Sequence, residues 1–410
     1  MCDLKSRVRS NKMINIAILG FGVVGSGTCE VLSKNKDIIA KRVGEEIYVK
    51  KILDLRDFPD SPYSDRVTHD AEEVFQDPDI KVAVETIGGA RIAYEFTKRA
   101  LSSGISVVTS NKELVSTHGP ELIKLAKDNG CVYLFEAAVG GGIPIIRPLY
   151  KCLAANNIVK IAGIVNGTTN YILSSMKNEG ISYEDALKEA QKKGYAEADP
   201  TADCEGIDAQ RKISILSSIA MDGKYCNPEN VHAEGISKIT TSDIELAKSL
   251  GCELKLIAFF KNNGDGSAQA FVAPHFVDKS CMLSDVEGVF NAVLVKGDYL
   301  GEAVFYGRGA GSYPTASAVA GDVIEACLKG AVDMEYRAWD DTVSVFKDYD
   351  EIKSDFIVYS KTEDVASLFS DAESVDALDI NAVIVSGISE KDLADKLAGK
   401  NNIGYRHYLK

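Results

Sequence analysis

One stretch near the start of the chain decides the fold: Ile14-Asn-Ile-Ala-Ile-Leu-Gly-Phe-Gly-Val-Val-Gly25. Its first six residues are mostly apolar and rich in isoleucine, which is typical of a buried parallel strand. Gly20, Gly22 and Gly25 follow with the spacing Gly-x-Gly-x-x-Gly, and a helix is predicted over residues 28–34. In this context the glycines permit a tight turn, close approach of a pyrophosphate, and packing of helix on strand. The pattern predicts a dinucleotide-binding loop; a glycine-rich turn without a ligand is the alternative.

Further strands follow this first unit at a regular pace. Apolar runs rich in β-branched residues occupy 48–55, 82–87 and 105–109, with a helix before the last run. Strands that alternate with helices at this spacing indicate an α/β protein with a doubly wound, Rossmann-type sheet. Beyond the glycine-rich hinge at 139–144, segments alternate apolar and polar residues. That change predicts a second, α+β domain on an open mixed sheet.

The domain boundaries follow from these changes in sequence pattern. We expect a nucleotide-binding domain over 14–140, completed by 307–335, and a catalytic domain over 141–306. Residues 1–13 would form an N-terminal extension. The last segment, 350–410, carries two predicted strands, a helix and a possible final strand, which indicates a small appended α/β module.

Composition excludes several classes of protein. The 410 residues carry a net charge of −14, which argues against a broad nucleic-acid surface. No stretch approaches 18 uninterrupted apolar residues, so no membrane span is predicted. Nine cysteines occur without a Cys-x-x-Cys pair, and five histidines lack zinc-ligand spacing. We therefore expect reduced thiols and a cytoplasmic location.

Two charged residues near the end of the second strand bear on the choice of cofactor. Asp54 is positioned to accept a hydrogen bond from a ribose 2′-hydroxyl, which favours NAD. Arg56 is positioned to pair with the 2′-phosphate of NADP. The two residues favour different cofactors, and solvated surface charge is the alternative for both.

A second pair of charges lies on a predicted helix over 206–220. Asp208 and Lys212 share one face because residues four apart stack. That face continues through Ile215 and Ile219, so the pair stands at the head of an apolar stripe and should border a cleft. An exposed salt bridge is the alternative, because an Asp and a Lys four residues apart on a helix usually form one.

Two short polar segments complete the candidate sites. Asn166-Gly-Thr-Thr-Asn170 is a turn whose threonines are expected to cap a helix that starts near Tyr171. Ser110-Asn-Lys112 follows the fourth strand, at the sheet edge where ligands bind. Either segment alone is compatible with a purely structural role.

Together, seven motifs in order from about residue 14 to 330 resemble the homoserine dehydrogenase family. They are Gly20-Phe-Gly-Val-Val-Gly25, Ser110-Asn-Lys112, Glu136-Ala-Ala-Val-Gly-Gly-Gly-Ile-Pro144, Asn166-Gly-Thr-Thr-Asn170, Gly194-Tyr-Ala-Glu-Ala-Asp-Pro-Thr-Ala-Asp203, Gly206-Ile-Asp-Ala-Gln-Arg-Lys212 and Gly307-Arg-Gly-Ala-Gly-Ser-Tyr-Pro-Thr-Ala-Ser317. The resemblance implies reversible, NAD(P)H-dependent reduction of L-aspartate 4-semialdehyde to L-homoserine, a step toward threonine, methionine and isoleucine.

The resemblance also implies roles for individual residues. Lys212 would be the acid/base group, with Lys112 and Asp208 as its catalytic partners. The substrate would be bound by Glu197, Asp208, Thr168 and Tyr195. The cofactor would be bound by Gly20, Phe21, Gly22, Val23, Val24, Gly25, Asp54, Arg56, Thr86, Gly88, Ser110, Lys112, Gly309, Gly311 and Thr315.

Three further properties rest on the resemblance. A monovalent cation, usually sodium in the family, would be held by Glu136 and the carbonyl groups of Val139, Gly141 and Ile143. The chain would pair through the second domain into a homodimer or homotetramer. The C-terminal segment resembles a shortened ACT regulatory module, which makes threonine a possible regulator.

Two other classes of function remain as alternatives. A phosphorylating semialdehyde dehydrogenase needs a thiolate nucleophile paired with a histidine. Cys131 and Cys204 are the nearest candidates, and packing explains both. A dinucleotide sensor without catalytic activity has no need for Glu197, Asp208, Lys212 and Lys112, which weighs against that class.

Overall fold

The computed structural model describes residues 13–328, 337–377 and 379–410. The predicted N-terminal extension, apart from Met13, and residues 329–335 of the predicted return segment lie outside the described residues. The described chain forms two compact units. The first comprises residues 13–114, 118–138, 311–328 and 337–338, and the second comprises 115–117, 139–310 and the described residues from 339 onward.

The described residues form both strands and helices along the whole chain. The strands are β1 (Met13–Leu19), β2 (Glu46–Leu53), β3 (Val67–Thr68), β4 (Ile80–Glu85), β5 (Ser106–Thr109), β6 (Tyr133–Leu134), β7 (Ile158–Ile164), β8 (His232–Ala233), β9 (Cys252–Asn262), β10 (Ala268–Asp278), β11 (Phe290–Gly297), β12 (Gly301–Arg308), β13 (Lys353–Ser360), β14 (Glu373–Val375), β15 (Asn381–Ser389) and β16 (Gly404–Leu409). The helices are α1 (Val23–Lys34), α2 (Lys36–Val43), α3 (Glu72–Phe75), α4 (Arg91–Ser102), α5 (Lys112–Asp128), α6 (Gly167–Glu179), α7 (Tyr183–Lys192), α8 (Thr201–Cys204), α9 (Ile207–Ala220), α10 (Thr241–Ser249), α11 (Ser312–Cys327) and α12 (Glu390–Leu397).

The first unit is built on a six-stranded sheet with the order β3-β2-β1-β4-β5-β6, and every pair in it is parallel. The order reverses between β1 and β4, and dinucleotides bind at such a switch point. Residues 16–19 of β1 have no exposed surface, because helices cover both faces of a doubly wound sheet. The predicted α/β class and its Rossmann-type sheet are confirmed.

Helix α1 begins at Val23, five residues earlier than the sequence predicts. Two glycines in its first turns lower helix propensity, yet each is required by close packing. A Cβ atom on Gly25 would lie 2.1 Å from the carbonyl oxygen of Gly20, and one on Gly27 would lie 2.7 Å from the hydroxyl of Ser312 on α11. Tertiary contact therefore extends the helix where propensity alone would not.

The second unit is built on a ten-stranded mixed sheet. Its order is β12-β11-β7-β9-β10-β16-β13-β15-β14, with β8 beside β10. The strands of the C-terminal segment belong to this sheet, because β16 pairs in parallel with β10 at His275 and His407. The predicted mixed sheet is confirmed, whereas the ACT-like nature of residues 350–410 stays a prediction.

The start of α6 differs from its prediction. The helix begins at Gly167 rather than near Tyr171, and its N-cap is Asn166 rather than a threonine. The Asn166 carboxamide oxygen accepts a hydrogen bond from the Thr169 amide at 2.8 Å, which satisfies an N–H group that the helix itself cannot pair. At the other end of the chain, Ser389 caps α12, and its hydroxyl accepts from the Asp392 amide.

None of the helices in the described parts of the chain combines the length and hydropathy that a membrane-spanning helix needs.

Candidate active site

A cavity of about 580 Å³ opens at the switch point of the parallel sheet. Predicted cofactor residues contribute to its wall at the ends of β1, β2 and β4. The lining comprises Gly20, Gly22, Leu53, Asp54, Leu55, Arg56, His69, Ala71, Thr86, Ile87, Gly88, Ile92 and Phe96. A cavity of this size, largely apolar with a few polar groups, suits a nucleotide.

The glycine-rich loop is held in place from two sides. Gly20 has a φ of 92°, a conformation that favours glycine. The Thr86 hydroxyl donates to the Gly20 carbonyl at 2.7 Å, and the Phe21 amide donates to the Asp54 carboxylate at 2.7 Å. Because α1 begins at Val23, its unpaired N–H groups and positive dipole end are available for a phosphate.

Asp54 and Arg56 form an ion pair at the wall of this cavity. The Asp54 carboxylate accepts from the Arg56 side chain at 3.0 and 3.1 Å. Burial raises the pKa of Asp54, but hydrogen bonds from Arg56 and the Phe21 amide outweigh it and bring the pKa to about 2. The Asp54 side chain is 8% exposed and that of Arg56 is 63% exposed. Solvated surface charge is therefore the wrong description of Asp54.

Glu85 is a residue that sequence reasoning missed. It ends β4 with no exposed surface, and its carboxylate accepts from the Thr109 hydroxyl and from the Ile87 amide. The Thr109 hydroxyl in turn accepts from the Asn111 amide at 2.9 Å, and Asn111 caps α5, whose first residue is Lys112. Glu85 therefore supports the segment that carries Ser110 and Lys112; the detectable signal was an acidic residue in an apolar strand.

Burial raises the pKa of Glu85 to about 7 despite its two hydrogen bonds. The folded protein therefore holds this proton more tightly than the unfolded chain. Its contribution to stability is complete below about pH 4.5 and is lost as the pH rises through about 7.

We expect the melting temperature of Glu85→Gln to fall less steeply with rising pH than that of the unmodified protein. The two free energies of unfolding should diverge by about 3 kcal/mol between pH 4 and 8, because burial raises the pKa of Glu85 to about 7. The measurement is the melting temperature from pH 4 to 8, with the exposed Glu46 changed to Gln as control. Parallel curves for the Glu85 variant and the unmodified protein would contradict the assignment.

In the second unit, Asp208 and Lys212 form a buried ion pair on α9. The Lys212 ammonium donates to the Asp208 carboxylate at 2.6 Å and to the Val165 carbonyl at 2.6 Å. The side chains are 10% and 4% exposed for Lys212 and Asp208. The exposed salt bridge is therefore excluded, and a positioned ammonium suited to proton transfer takes its place.

Asn166 connects this pair to the start of α6. Its amide nitrogen donates to Asp208 at 2.8 Å and to Asp203 at 2.7 Å, while its oxygen caps the helix. The Asp208 carboxylate thus accepts from both Asn166 and Lys212, so its orientation is set by two donors. Sequence reasoning assigned Asn166 to a motif but not this role.

Of the other predicted substrate residues, Tyr195 and Glu197 occupy the segment 194–200, and Thr168 lies in the first turn of α6. The Thr168 hydroxyl donates to the Tyr195 carbonyl at 2.7 Å, and Tyr195 packs edge-on against Tyr171 with ring centroids 5.0 Å apart. Glu197 lies on an exposed loop, where its backbone carbonyl accepts from Gln191. The structure therefore joins Thr168 and Tyr195, and leaves the Glu197 side chain at the surface.

The returning glycine segment contributes to each unit. In the first unit Gly311 caps α11, whose Thr315 amide donates to the Gly311 carbonyl, and Ser312 donates to the Val23 carbonyl at 3.0 Å. In the second unit the Gly142 amide donates to the Arg308 carbonyl at 3.1 Å. There Gly141 of the predicted cation loop packs against Gly309, since a Cβ atom on Gly141 would lie 2.3 Å from the Gly309 carbonyl oxygen.

Neither of the two candidate thiols has the character of a nucleophile. Cys131 and Cys204 are buried, and burial raises the pKa of both, to about 11 for Cys131. A protonated, buried thiol is inert, whereas a catalytic cysteine needs a lowered pKa. Their packing role agrees with the sequence prediction.

A dinucleotide cavity in one unit and a buried lysine–aspartate pair in the other define a nicotinamide-dependent oxidoreductase. Residues 20–136 match the family model described as homoserine dehydrogenase, NAD binding domain, and residues 144–324 match that described as homoserine dehydrogenase. The chain belongs to the homoserine dehydrogenase family, and is an NAD(P)-dependent oxidoreductase that acts on a CH–OH group.

Individual relatives agree with this assignment. The homoserine dehydrogenase of Neisseria gonorrhoeae is 43% identical over 328 residues, 80% of this chain and 75% of that protein. The crystal structure of a homoserine dehydrogenase from Thiobacillus denitrificans is 34% identical with a TM-score of 0.87, covering 97% of this chain and 99% of that one. A hyperthermophilic archaeal homoserine dehydrogenase in complex with NADPH is 31% identical with a TM-score of 0.65, covering 77% and 98%.

Proposed function

We propose that the protein catalyses the reversible reduction of L-aspartate 4-semialdehyde to L-homoserine with NAD(P)H. The observation that carries the proposal is the buried Lys212–Asp208 pair, in a chain that belongs to the homoserine dehydrogenase family. The bound nicotinamide supplies a hydride to the aldehyde carbon. A catalytically silent sensor is not favoured, because it needs no buried ammonium.

Lys212 acts as the acid in reduction and as the base in the reverse direction. Its ammonium donates a proton to the substrate oxygen as negative charge develops there. Asp208 keeps the ammonium charged and orients it, and also helps to hold the substrate. Thr168, Tyr195 and Glu197 contact the amino-acid substrate, and Lys112 assists at the nicotinamide.

The residues of the first cavity suit a dinucleotide. The Gly20–Gly25 loop and the start of α1 offer backbone N–H groups to the pyrophosphate, together with Phe21, Val23 and Val24. Asp54 and Arg56 reach the adenosine ribose, while Thr86, Gly88 and Ser110 border the nicotinamide. Gly309, Gly311 and Thr315 close the site.

We expect Arg56→Ala to raise KM for NADPH at least about tenfold while changing KM for NADH by less than about twofold. The exposed guanidinium pairs with a 2′-phosphate, and charged hydrogen bonds of this kind contribute about 1.5–3 kcal/mol. The measurement is initial rates with both cofactors. Asp54→Asn serves as the opposite control, because it weakens the contact with a 2′-hydroxyl. Equal effects of Arg56→Ala on both cofactors would contradict the prediction.

We further propose that a monovalent cation, sodium in the first instance, binds Glu136 with the carbonyls of Val139, Gly141 and Ile143. Carboxylate and carbonyl oxygens are hard donors, which suit such an ion. The positive φ values of Gly140 and Gly141, 71° and 54°, support a loop that turns its carbonyls inward. Replacement of sodium chloride by choline chloride should lower the rate, and Glu136→Gln should remove that dependence.

The domain roles and the assembly are also proposals. We assign cofactor binding to 14–140 with 307–335, catalysis and dimerisation to 141–306, and regulation to 350–410. The edge strand β12 supports assembly into a homodimer or homotetramer, because Tyr306 is exposed on it and Tyr299 and Leu300 are exposed in the turn that precedes it. Light scattering of the unmodified protein tests the assembly.

Threonine is the regulator we propose for the C-terminal segment. A cavity of about 470 Å³ between α10 and the end of β13 supports this role, since hydroxyl and acidic groups such as Ser242, Asp243 and Ser360 line it. Inhibition by threonine that is lost in Ser242→Ala, with the uninhibited rate retained, would support regulation through this cavity.

The direct test of the reaction is NAD(P)H absorbance at 340 nm with aspartate semialdehyde. It compares both cofactors, with and without threonine, in a sodium- or potassium-containing buffer. Consumption of NAD(P)H is the expected result. No consumption by folded protein with either cofactor would favour the sensor.

A further inference from the structure

One buried carboxamide near the candidate active site has neither of its polar atoms hydrogen-bonded. Asn291, the second residue of β11, is 1% exposed. Among the described residues, neither its oxygen nor its nitrogen has a hydrogen-bond partner. Buried amides in native proteins are nearly always paired, because an unpaired one loses its hydration without compensation. Asn291 therefore requires an explanation beyond packing.

Two glycine segments enclose this carboxamide. A Cβ atom on Gly309 would lie 1.9 Å from the Asn291 nitrogen, and one on Gly167 would lie 3.5 Å from its oxygen and 2.8 Å from the Val289 carbonyl. Any other residue at Gly309 would displace the amide. The amide thus lies against the backbone of two segments that the sequence assigns to cofactor and substrate.

The same position adjoins the catalytic pair. Ala292 pairs with Ile164, so Asn291 lies beside the end of β7, where the Val165 carbonyl accepts from Lys212. Gly167 is the first residue of α6, whose cap Asn166 binds Asp208. A small shift of either glycine segment would therefore change the environment of both Asn291 and the pair.

We propose that Asn291 is a positioning residue for the reaction, whose carboxamide acquires hydrogen-bond partners from the two glycine segments when the amino-acid substrate binds. Peptide N–H and C=O groups of these segments can use both its donor and its acceptor. Substrate binding would then be favoured by the pairing and would align the start of α6 with Lys212. This inference rests on the proposed function.

The amino-acid substrate is favoured over the cofactor as the trigger. Gly167 opens the helix that carries the proposed substrate residue Thr168, and it shares the second unit with the Lys212–Asp208 pair, whereas the dinucleotide cavity belongs to the first. Loss of the carboxamide should therefore raise KM for L-homoserine more than KM for the cofactor.

The test is Asn291→Leu, which keeps the branched shape and removes both hydrogen-bonding atoms. We expect the melting temperature without ligands to equal or exceed that of the unmodified protein, because two unpaired polar atoms disappear. The stabilisation by L-homoserine with NADPH, a pair that cannot react, should shrink. KM for L-homoserine should rise at least about tenfold, a change of about 1.4 kcal/mol.

Asn170→Leu is the matched control from the same region. Its amide nitrogen donates to the carbonyls of Val286, Gly288 and Phe290 at 3.0–3.1 Å, whereas its oxygen, like both polar atoms of Asn291, has no partner among the described residues. Because these hydrogen bonds are already made, the control should melt at lower temperature with and without ligands, while KM for L-homoserine stays within about twofold.

The inference would be overturned if Asn291→Leu changed the melting temperature and KM for L-homoserine as the control does. It would also be overturned if only KM for the cofactor rose. Asn291→Ala, measured in the same way, replaces the leucine variant if the larger side chain prevents folding. An unmodified protein that turns over L-homoserine with neither cofactor would instead refute the proposed function. The two failures are therefore distinguishable.

Discussion

Lys212→Ala is expected to lower kcat by about 10²- to 10⁴-fold, the contribution of a positioned general acid. The ammonium is held between the Asp208 carboxylate and the Val165 carbonyl, and it is the group proposed to protonate the substrate oxygen. Cofactor binding should survive, because the dinucleotide cavity belongs to the other unit. Single-turnover rates and NADPH titration by fluorescence measure the two effects separately.

Lys255→Ala provides the control for this experiment. Lys255 is 2% exposed in the same unit, and its ammonium donates to the Val286 carbonyl at 2.6 Å. Burial lowers its pKa to about 8. Its loss should reduce stability with little change in kcat, since it has no proposed role in the reaction. An unchanged kcat in Lys212→Ala would refute the assignment of the acid/base group.

Asp208→Ala is expected to have the second large effect, this time on stability as well as on turnover. It leaves the Lys212 ammonium without its carboxylate partner in a buried site, and such changes typically cost about 3–5 kcal/mol. Turnover should fall because Asp208 also orients the ammonium. Denaturant unfolding and steady-state rates are the measurements.

The double variant Asp208→Ala/Lys212→Met separates these two consequences. Removal of both charges eliminates the buried ammonium that lost its carboxylate, so most of the lost stability should return. Activity should not return, because the acid/base group is missing. If stability does not return and the losses from the two single variants simply add, the pair is not energetically coupled.

Several features of the fold were predictable from local sequence because they depend on neighbouring residues. The apolar run before Gly20 and the spacing through Gly25 predicted β1, the loop and the following helix. The four-residue spacing of Asp208 and Lys212 predicted that they share a helix face, and their hydrogen bond confirms it. Local patterns also located the ends of strands, where Thr86 and Ser110 lie.

Features that depend on distant residues were not predictable in this way. The early start of α1 depends on Gly27 against Ser312, separated by most of the chain. Glu85 looked like an isolated acid, and its network with Thr109 exists because β4 and β5 are neighbours. The Asp54 ion pair with Arg56 was local, but the hydrogen bond from Phe21 that fixes Asp54 was not.

The sequence by itself determined the class of fold, the phosphate-binding loop and the family, because each rests on residue types at fixed short spacing. Only the tertiary structure decided that Lys212 and Asp208 are buried, that Asn166 joins them to α6, and that Asn291 lies between Gly167 and Gly309. The physical reason is that burial and hydrogen-bond partnership are set by which strands and helices become neighbours, and that information is not contained in any local pattern.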